Sequence, residues 1–463
     1  MEMLLLAVRP SRCRPDHPRF APRSLRRGFC TVRILLVLGA LTSAGVLAAQ
    51  PAAGGAFATG QYRNLFRELL GKSETELDGK LAAAWQQITR GDPANQQLIY
   101  PLGGDMAYIP DVGNRDVRTE GLSYGMMIAV QLDHQKEFNQ LWKFARTFMY
   151  HDRGPLRGYF TWHTAYNGTM TRDDGSVIRG SGPAPDGEEW FVMALFFATH
   201  RWGNGSGIFN YETEAQSLLR TMIHKDDEPD RGPVASMFDP VAKQIKFVPD
   251  GPRAHFTDAS YHLPAFYELW ARWAADPADR AFLAEVAKAS RVLFKRVAHP
   301  VTGLMPNFSA FDGGTAGMMG AGEFREDAWR TLSNPALDYS WWAADPWAVE
   351  QSNRILKFFA TQPSDDWPTH FKVDGTPTRT GEKSPGLYAM AACAGLAADP
   401  AIARPFVQRL WNLPFPDDRG RNADGMRKPG ELRSQRYYDG LLTMLALLEV
   451  GGRFRIYGPP TTP

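Results

Sequence analysis

Three stretches of the chain place carboxylic acids where a helix is predicted to begin. The first, "GPAPDGEEWF" at residues 182–191, holds Asp186, Glu188 and Glu189 just ahead of an apolar run. Negative charge is favoured in the first turn of a helix because the N–H groups there are unpaired and the helix dipole is positive. Helix capping accounts for one or two such acids, so a group of three also suggests a chemical role.

The second stretch, "RDVRTEGLSYGMMIAVQLDH", begins at Arg115 and has the same character. Thr119 is predicted to cap the helix, with Glu120 in its first turn. Gly121 and Gly125 leave one side of this helix thin, so another group can approach it closely. Taken alone, Glu120 is equally consistent with a capping role.

The third stretch, "GEFREDAWRTLSNPALDYSWW", places Asp327 at a predicted helix start with Arg330 three residues later. Residues at this spacing share a helix face, so the two side chains can pair. The simple alternative is an ordinary helix salt bridge.

Three acidic sites in one chain suggest acid–base chemistry on a bond whose cleavage needs a proton and a water molecule. Hydrolysis of a glycosidic bond uses one protonated carboxyl group and one ionised carboxylate. A third acid nearby can hold the sugar, and its like charge keeps the proton donor protonated.

Aromatic residues surround these acids in the sequence. Tyr and Trp side chains can stack on sugar rings while their polar atoms bind hydroxyl groups. Packing in the core is the alternative explanation for each ring, in a chain that contains 13 Trp. The candidates are Tyr159, Phe160, Trp162, Tyr261, Tyr437 and Tyr438.

The elements that must position these residues are predicted to be helices. Apolar residues recur with helical spacing in about twelve segments, and strand patterns such as "QIKFVP" are short and scattered. A dozen helices with few strands suggest helical hairpins arranged as a closed toroid or an open solenoid. The absence of a fixed-period repeat favours the toroid, in which the loops before alternate helices open onto one cleft. The segments are 62–90, 119–132, 135–150, 187–202, 211–223, 258–274, 277–297, 327–343, 346–360, 385–398, 401–412 and 434–450.

Residues 1–49 are predicted to be a signal peptide with an upstream segment. Four arginines from Arg23 to Arg33 precede an apolar run that starts at Ile34, is too short to span a membrane and ends in small residues. This pattern predicts a secreted or periplasmic protein; the alternative is an uncleaved anchor. Residues 58–458 are then expected to form a single catalytic domain.

Charge and cysteine content exclude several kinds of partner. Without residues 1–48, 44 of the 52 Lys and Arg and 48 of the 50 Asp and Glu remain, which gives a net charge of −4. This balance does not indicate binding to nucleic acid or to an anionic membrane, and a neutral partner is the simpler expectation. Cys393 would be the only cysteine, which excludes an intrachain disulfide and a cysteine-built metal site. No spacing such as His-Glu-x-x-His indicates a metal site either.

Five segments together resemble glycoside hydrolase family 8 and, within it, the exo-oligoxylanases that release xylose from the reducing end. The similarity runs in order from about residue 95 to residue 457. The Thr-Glu-Gly-x-Ser-Tyr-Gly run and the Pro-Asp-Gly helix start are its most specific parts. The segments are "TEGLSYGMMIAVQLD", "GYFTWH", "PAPDGEEWFVMALFFATHRWG", "FTDASYHLPAFYELWA" and "YYDGLLTMLALLEVGGRFRIY".

The resemblance implies an all-α (α/α)6 barrel that hydrolyses β-1,4 bonds of neutral xylo-oligosaccharides with inversion and without metal or cofactor. The family pattern makes Glu120 the general acid and Asp186 the acid that binds and distorts the sugar at the cleavage point. Asp327 fits the general base in an Asp-Ala-x-Arg pattern that Arg330 completes, and Asp338 is the competing candidate.

Further substrate-binding residues follow from the same resemblance. Tyr261 matches a tyrosine that helps to hold the attacking water, Trp162 matches a sugar-stacking tryptophan, and Tyr438 is expected to contact substrate. In the exo-acting members a Leu-His-Pro loop closes the site beyond the cleavage point, and its His binds the reducing-end hydroxyl. Here "RTGEKSPGL" takes that place, with Lys383 about where the His is expected. Lys383 can donate a hydrogen bond, but it is longer and charged.

Three other functions remain open at this point. The first is an endo-acting β-1,4-glucanase, xylanase or chitosanase of the same fold with a more open cleft. The second is a non-catalytic secreted sugar-binding protein, which would need neither a proton donor nor a base. The third is an unrelated helical toroid such as a lyase or epimerase, a class that commonly relies on His or Tyr bases.

Overall fold

The computed structural model describes residues 54–459 apart from 319, 364–365, 381–382 and 420–433. Most of these residues are helical, as the spacing of the apolar residues predicts. The α-helices are α1 (Gly55–Thr59), α2 (Leu65–Leu70), α3 (Glu74–Arg90), α4 (Thr119–Leu132), α5 (Gln135–Phe144), α6 (Pro185–Trp202), α7 (Tyr211–His224), α8 (Pro264–Trp273), α9 (Pro277–Val297), α10 (Asn334–Trp342), α11 (Trp347–Ala360), α12 (Pro385–Ala394), α13 (Pro400–Asn412) and α14 (Tyr438–Val450).

Six of these helices form a closed inner ring. Helix α14 packs on α4, α4 on α6, α8 on α10, α10 on α12, and α12 again on α14. Between α6 and α8 the ring is closed by Trp190 and Phe266, whose rings meet edge to face with centroids 5.1 Å apart. Outside each inner helix lies one partner: α3 on α14, α5 on α4, α7 on α6, α9 on α8, α11 on α10 and α13 on α12. This confirms the predicted (α/α)6 barrel.

The composition of each helix explains which layer it occupies. All residues of α14 are buried, as is every residue of α6 from Pro185 to Ala198. The outer helix α9 is amphipathic and buries one side, including Leu283, Val286 and Leu293. Burial of one apolar side chain contributes about 1.5–3 kcal/mol, so a helix that is apolar all round is stable only when other helices surround it.

Strands are short and lie in the loops at the ends of the helices. They are β1 (Tyr100–Leu102), β2 (Met106–Tyr108), β3 (Pro110–Asp111), β4 (Asp116–Arg118), β5 (His163–Thr164), β6 (Phe238–Asp239), β7 (Gln244–Ile245), β8 (Thr257–Asp258), β9 (Phe308–Ser309), β10 (Glu323–Phe324), β11 (His370–Lys372) and β12 (Pro377–Arg379). The strands of the described residues all pair antiparallel. Strand β4 leads directly into α4 and pairs with both β3 and β5. These small sheets fix the loops from which α4 and its neighbours start.

Some predicted helix boundaries are wrong, for local reasons. The predicted helix 62–90 is two helices, because Gly71 adopts a left-handed conformation (φ 71°) and Ser73 begins α3 with a capping box. The segment 258–274 becomes helical only from Pro264, since a proline is tolerated in the first turn and not within a helix. The described residues therefore contain fourteen α-helices rather than about twelve.

The predicted signal peptide and upstream segment at 1–49 lie outside the described residues. The described residues belong to one compact unit. Among the residues that the structure describes, none of the helices combines the length and the apolar composition that crossing a membrane requires.

Candidate active site

A single buried arginine brings the three predicted acids together. Arg330 lies on a 3₁₀ helix, Glu326–Leu332, and its side chain is 5% exposed. Its Nη1 lies 3.2 Å from Asp186 Oδ2 and 3.4 Å from Glu120 Oε2, and its Nη2 lies 3.5 Å from Asp327 Oδ1. Glu120 and Asp186 thus share one nitrogen, while Asp327 lies on the other.

Two neutral hydroxyl groups also bind this guanidinium. Nη1 donates to the hydroxyl of Tyr124 over 2.6 Å, and Nη2 donates to Ser260 Oγ over 2.9 Å. The Ser260 hydroxyl in turn donates to Asp258 Oδ1 over 2.7 Å, so its oxygen faces Arg330 as an acceptor. Burial, and the nearby charge of Asp327, raise the pKa of Asp258 well above its usual range. Arg330 is therefore fixed from both sides.

Glu120 occupies the first turn of α4. Tyr437, which precedes α14, donates a hydrogen bond to its Oε1 over 3.0 Å. A Cβ atom at Gly121 would lie 2.6 Å from the Tyr437 ring, so only glycine allows this approach. Gly121 and Gly125 therefore have the predicted role of admitting a neighbouring group; a Cβ at Gly125 would lie 2.4 Å from Ile109.

The environment of Glu120 favours its protonated form. Burial raises its pKa to about 7; the charge of Arg330 opposes this shift, and the charges of Asp186 and Asp327 add to it. A carboxyl group with this pKa can carry a proton near neutral pH and donate it. The pKa of Asp186 is also raised by burial, again against the effect of Arg330.

The starts of α4 and α6 cross at Gly187. A Cβ atom there would lie 2.3 Å from Thr119 Oγ1, so the two helices touch at this point. Thr119 is the first residue of α4 rather than its cap, and no side chain caps this helix. The predicted capping role of Thr119 is wrong, because the residue is used to pack α4 against α6 and bring Glu120 close to Asp186.

The two candidates for the base have different environments. Asp327 lines the cavities described below, and its side chain is 34% exposed. Asp338 is buried in α10, and its two carboxylate oxygens each accept a hydrogen bond of 2.8 Å from Arg291. Asp338 is therefore occupied by a structural ion pair, and of the two only Asp327 can reach a water molecule in the cleft.

Glu188 and Glu189, which follow Asp186 on α6, point into the core. Neither is exposed, and burial raises the pKa of both well above the usual range. Glu188 Oε1 accepts the backbone N–H of Phe160 over 3.2 Å. Glu189 Oε1 lies against the hydroxyl of Tyr267. Of the three acids at this helix start, Asp186 therefore lines the cavity, and Glu188 and Glu189 lie in the protein interior.

Two cavities meet at the acids. The larger, of about 590 Å³, is lined by Asp186, Trp162 and Tyr261 among others, and the smaller, of about 310 Å³, by Glu326, Tyr437 and Tyr438 among others. Both volumes are typical of small-molecule sites. The residues common to both cavities are Arg118, Glu120 and Asp327.

Four of the six aromatic candidates, Trp162, Tyr261, Tyr437 and Tyr438, line the cavities. Tyr159 and Phe160 are instead buried in the core, where their rings pack against other apolar groups. The Arg330 guanidinium lies 5.4 Å from the centre of the Tyr261 ring, and Tyr438 donates to the carbonyl of Glu326 over 3.1 Å. The Trp162 ring is stacked on His163 with centroids 3.5 Å apart, and His163 is fixed by Asp116 at 3.1 Å. Trp162 is thus held rigidly at the wall of the larger cavity.

Lys383 stands apart from the other predicted residues. Its side chain is exposed and does not belong to the described lining of either cavity. Its backbone carbonyl accepts a hydrogen bond from the side chain of Gln435. The neighbouring residues 381 and 382 lie outside the described part of the chain.

Sequence reasoning missed several residues of the site: Tyr437 binds Glu120, Tyr124 and Ser260 bind Arg330, and Arg118 lines both cavities. Tyr124, Ser260 and Arg118 were not among the predicted site residues, and Tyr437 was considered only as one aromatic among several. A pattern that could have identified Tyr437 is the Tyr-Tyr pair at the start of α14, of which Tyr438 alone was selected. Within the described residues no group of three His, Cys, Asp or Glu could hold a metal ion.

An (α/α)6 ring that holds a buried acid of raised pKa beside a more exposed carboxylate is the arrangement of a glycoside hydrolase. The family model for glycosyl hydrolases family 8 matches residues 108–451. The chain belongs to this family, and it is an enzyme of the inverting type.

Curated relatives and solved structures support this assignment over nearly the whole chain. The chain is 41% identical over 407 residues to the reducing-end xylose-releasing exo-oligoxylanase Rex8A of Paenibacillus barcinonensis, covering 87% of this chain and 98% of the relative. It is 40% identical over 408 residues to the exo-oligoxylanase of the same description from Halalkalibacterium halodurans, covering 88% and 97%. A catalytic mutant of a family 8 xylanase from Teredinibacter turnerae, solved with xylohexaose, is 41% identical with a TM-score of 0.77, covering 88% and 100%.

Proposed function

We propose that this enzyme hydrolyses β-1,4 bonds of xylo-oligosaccharides with inversion and releases xylose from the reducing end. The observation that carries the proposal is the contact of one guanidinium, that of Arg330, with Glu120, Asp186 and Asp327. The relatives at 40–41% identity are described as exo-oligoxylanases that release xylose from the reducing end, and this supports the proposed substrate.

Glu120 is the general acid in this proposal. Its pKa of about 7 keeps the carboxyl group mostly protonated below neutral pH and about half protonated at neutral pH. It donates this proton to the glycosidic oxygen as the bond from that oxygen to the anomeric carbon breaks. The leaving part of the oligosaccharide departs with a new hydroxyl group, and Glu120 is left ionised beside Arg330 and the Tyr437 hydroxyl.

Asp327 is the general base. Inverting enzymes place the two carboxyl groups roughly 6.5–9.5 Å apart, which leaves room for the attacking water. Contacts of 3.4 and 3.5 Å at opposite nitrogens of one guanidinium are compatible with such a spacing. Asp327 takes a proton from the water as the water oxygen bonds to the anomeric carbon from the opposite face.

The two cavities differ in a way that supports cleavage near one end of the chain. Asp186 lines only the larger cavity, so the sugar that it would hold, and the glycone beyond it, lie there. The leaving group lies in the smaller cavity of about 310 Å³, against about 590 Å³ on the other side. A leaving group as short as one xylose fits the smaller cavity, and the longer glycone fits the larger one.

Two variants and one product analysis test the proposal. Glu120→Gln and Asp327→Asn are each expected to lose most turnover on xylo-oligosaccharides while the fold is kept. NMR at early times is expected to show the α-anomer at the new reducing end of the glycone product. Near-normal rates in both variants would overturn the assignment of acid and base.

Internal cleavage of xylan is the second candidate. Two observations favour it: Lys383 stands where exo-acting members are expected to have a His, and the Teredinibacter turnerae xylanase is as similar as the exo-oligoxylanases. Xylotetraose labelled at its reducing end separates the two. Labelled xylose with unlabelled xylotriose supports reducing-end release, and labelled xylobiose supports internal cleavage.

We also propose that the protein is exported. The basic lead and the apolar run before residue 48 support this. Expression of the full chain followed by mass spectrometry of the mature N-terminus is the test. Cleavage near residue 48 is expected, and an intact N-terminus in the cytoplasm would contradict it.

A further inference from the structure

Two arginines in the larger cavity are not used by the proposed mechanism. Apart from the site's own Arg118, Glu120, Asp186 and Asp327, the charged side chains that line this cavity are Arg179, Arg253 and Asp250. Neither Arg179 nor Arg253 lines the smaller cavity. They therefore lie on the glycone side of the cleavage point.

These two guanidinium groups differ from the other arginines of the site. Arg118 is paired with Asp111 at 3.2 Å and with Asp116 at 3.0 Å, and Arg330 is surrounded by acids. In the part of the chain that the structure describes, neither the Arg179 nor the Arg253 side chain has an ion pair or a hydrogen bond, and both are exposed. Their charge is thus available to a ligand in the cavity.

The backbone that carries Arg179 is held next to the predicted sugar-stacking ring. His163 Nε2 lies within hydrogen-bond distance of the carbonyls of Arg179, at 3.0 Å, and Gly180, at 3.1 Å. The same imidazole is stacked on Trp162. A Cβ at Gly180 would lie 3.6 Å from Trp162 Nε1, so the loop is in contact with that ring. The backbone of Arg179 is therefore held in place beside the Trp162 ring.

The wall around these charges contains apolar groups. Pro155, Leu156, Pro233 and Val234 line the same cavity. Apolar walls reduce the screening of a charge by water and strengthen its attraction to an opposite charge. Asp250 offsets one of the two positive charges, so Arg179, Arg253 and Asp250 together have a net charge of +1.

An unsubstituted xylo-oligosaccharide is neutral and does not need these charges. A carboxylate on a branch of the xylose chain would be attracted by them, because guanidinium groups bind carboxylates with two parallel hydrogen bonds. We infer that Arg179 and Arg253 bind the carboxylate of a uronic acid branch on the glycone, so that the enzyme takes acidic, branched xylo-oligosaccharides in preference to neutral ones. This inference rests on the proposed function and adds a substrate class to it.

The test compares two substrates that differ only in charge. One is a xylotetraose with a single glucuronic acid branch towards its non-reducing end, and the other is the same compound with the carboxyl group reduced to an alcohol. We expect the wild-type kcat/KM to be about fivefold higher on the acid, since an accessible charge pair contributes modestly. The ratio should approach one in high salt, which screens the attraction.

Variants assign the effect to residues. The double variant Arg179→Gln/Arg253→Gln should bring the ratio close to one at low salt. Arg90→Gln, which changes an exposed arginine at the end of α3, should keep the wild-type ratio. A wild-type ratio of one or below, or a ratio that the double variant does not change, would overturn the inference.

A binding measurement separates this inference from the proposed function. Calorimetry with the Glu120→Gln variant gives the affinity for both compounds without turnover. Tighter binding of the acid that is lost with the two arginines supports the branch site even if no xylo-oligosaccharide is hydrolysed. Equal affinities together with normal hydrolysis of unbranched xylotetraose overturn the branch site alone.

Discussion

Tyr437 donates a hydrogen bond of 3.0 Å to Oε1 of Glu120, across 317 residues of the chain. A hydrogen bond donated to a carboxylate stabilises its ionised form. Burial acts in the opposite direction and raises the pKa of Glu120 to about 7. The pKa of the proposed acid is therefore a balance between burial and the donors around it.

Tyr437→Phe should shift this balance towards the protonated form. Without the donor, the pKa of Glu120 rises, by roughly one unit if the hydrogen bond has the usual strength of a bond to a charged group. Since the acid acts when protonated, the alkaline limb of kcat/KM, expected near pH 7 in the wild type, should move to higher pH. Initial rates between about pH 4 and about pH 9 measure this limb.

Tyr438→Phe is the matched control for this shift. The Tyr438 hydroxyl donates to the carbonyl of Glu326 and, in the part of the chain that the structure describes, forms no hydrogen bond with Glu120. Its removal should leave the alkaline limb where it is, whatever its effect on rate. An unchanged limb in Tyr437→Phe would mean that another group sets the pH dependence.

Asp338→Asn should separate stability from activity. Asp338 is paired with Arg291 through two hydrogen bonds of 2.8 Å, away from the cavities. Loss of the charge should reduce the free energy of unfolding by about 1–3 kcal/mol and leave kcat within about twofold, because small changes far from the reacting atoms do not alter the transition state.

Urea unfolding and initial rates on xylotetraose, measured on the same preparations, check the predicted effects of Asp338→Asn on stability and on kcat. Asp327→Asn should show the reverse pattern, with kcat lost and stability little changed, because Asp327 is 34% exposed. If Asp338→Asn abolished turnover in a stable protein, the assignment of the base would have to move to Asp338.

The sequence predicted the acids of the site because their pattern is local. Helix periodicity and a carboxylate in the first turn are properties of a few neighbouring residues, and both Glu120 and Asp186 lie where this pattern places them. The pairing of Asp327 with Arg330, three residues apart, is local as well. The residues that hold Glu120 and Arg330 in place were not predictable in this way, since Tyr437 and Ser260 reach the site only through the closure of the ring.

The same limit explains the errors in the helix starts. Thr119 has the residue type of a cap, but its environment is decided by Gly187, which belongs to another helix. Asp186, Glu188 and Glu189 form one cluster in the sequence, yet successive residues of a helix point about 100° apart. Only the position of α8 decides that Asp186 lies in the cavity while Glu189 contacts Tyr267.

We expect Glu189 to carry a proton beside Tyr267. The Tyr267 hydroxyl has one proton and lies near two acceptors, Glu189 Oε1 and, at 3.1 Å, the carbonyl of Tyr261. Both contacts are hydrogen bonds if Glu189 is neutral and donates to Tyr267, which then donates to Tyr261. Burial, which raises the pKa of Glu189 well above its usual range, favours the same state.

Glu189→Gln should therefore be well tolerated, because the amide can donate to Tyr267 as the carboxyl group does. We expect kcat within about threefold of the wild type. Tyr267→Phe leaves the proton of Glu189 and the carbonyl of Tyr261 without partners, and should reduce the free energy of unfolding by about 1–3 kcal/mol. It should also reduce kcat by about tenfold if Tyr261 helps to hold the attacking water, as the family resemblance implies. Urea unfolding and initial rates on xylotetraose measure both variants. A loss in Glu189→Gln as large as in Tyr267→Phe would show that a carboxylate is needed there.

Glu449, outside the site, should make the stability of the protein depend on pH. It is buried in α14, accepts a hydrogen bond from Ser333 Oγ over 2.5 Å, and has its pKa raised by burial from 4.5 to about 7. The folded state thus binds the proton more tightly than the unfolded state. The stability that Glu449 contributes is fully present below about pH 4.5 and is lost as the pH rises to about 7.

Glu449→Gln removes this dependence, because the amide oxygen can still accept from Ser333 and cannot ionise. Relative to the wild type, the variant should gain roughly 2–3 kcal/mol of unfolding free energy between about pH 5 and about pH 8. Urea unfolding at several pH values measures the difference, and Glu285→Gln, with an exposed side chain, should run parallel to the wild type. Parallel curves for Glu449→Gln as well would mean that Glu449 titrates alike in the folded and unfolded chains, and that its burial in α14 is offset by its hydrogen bonds.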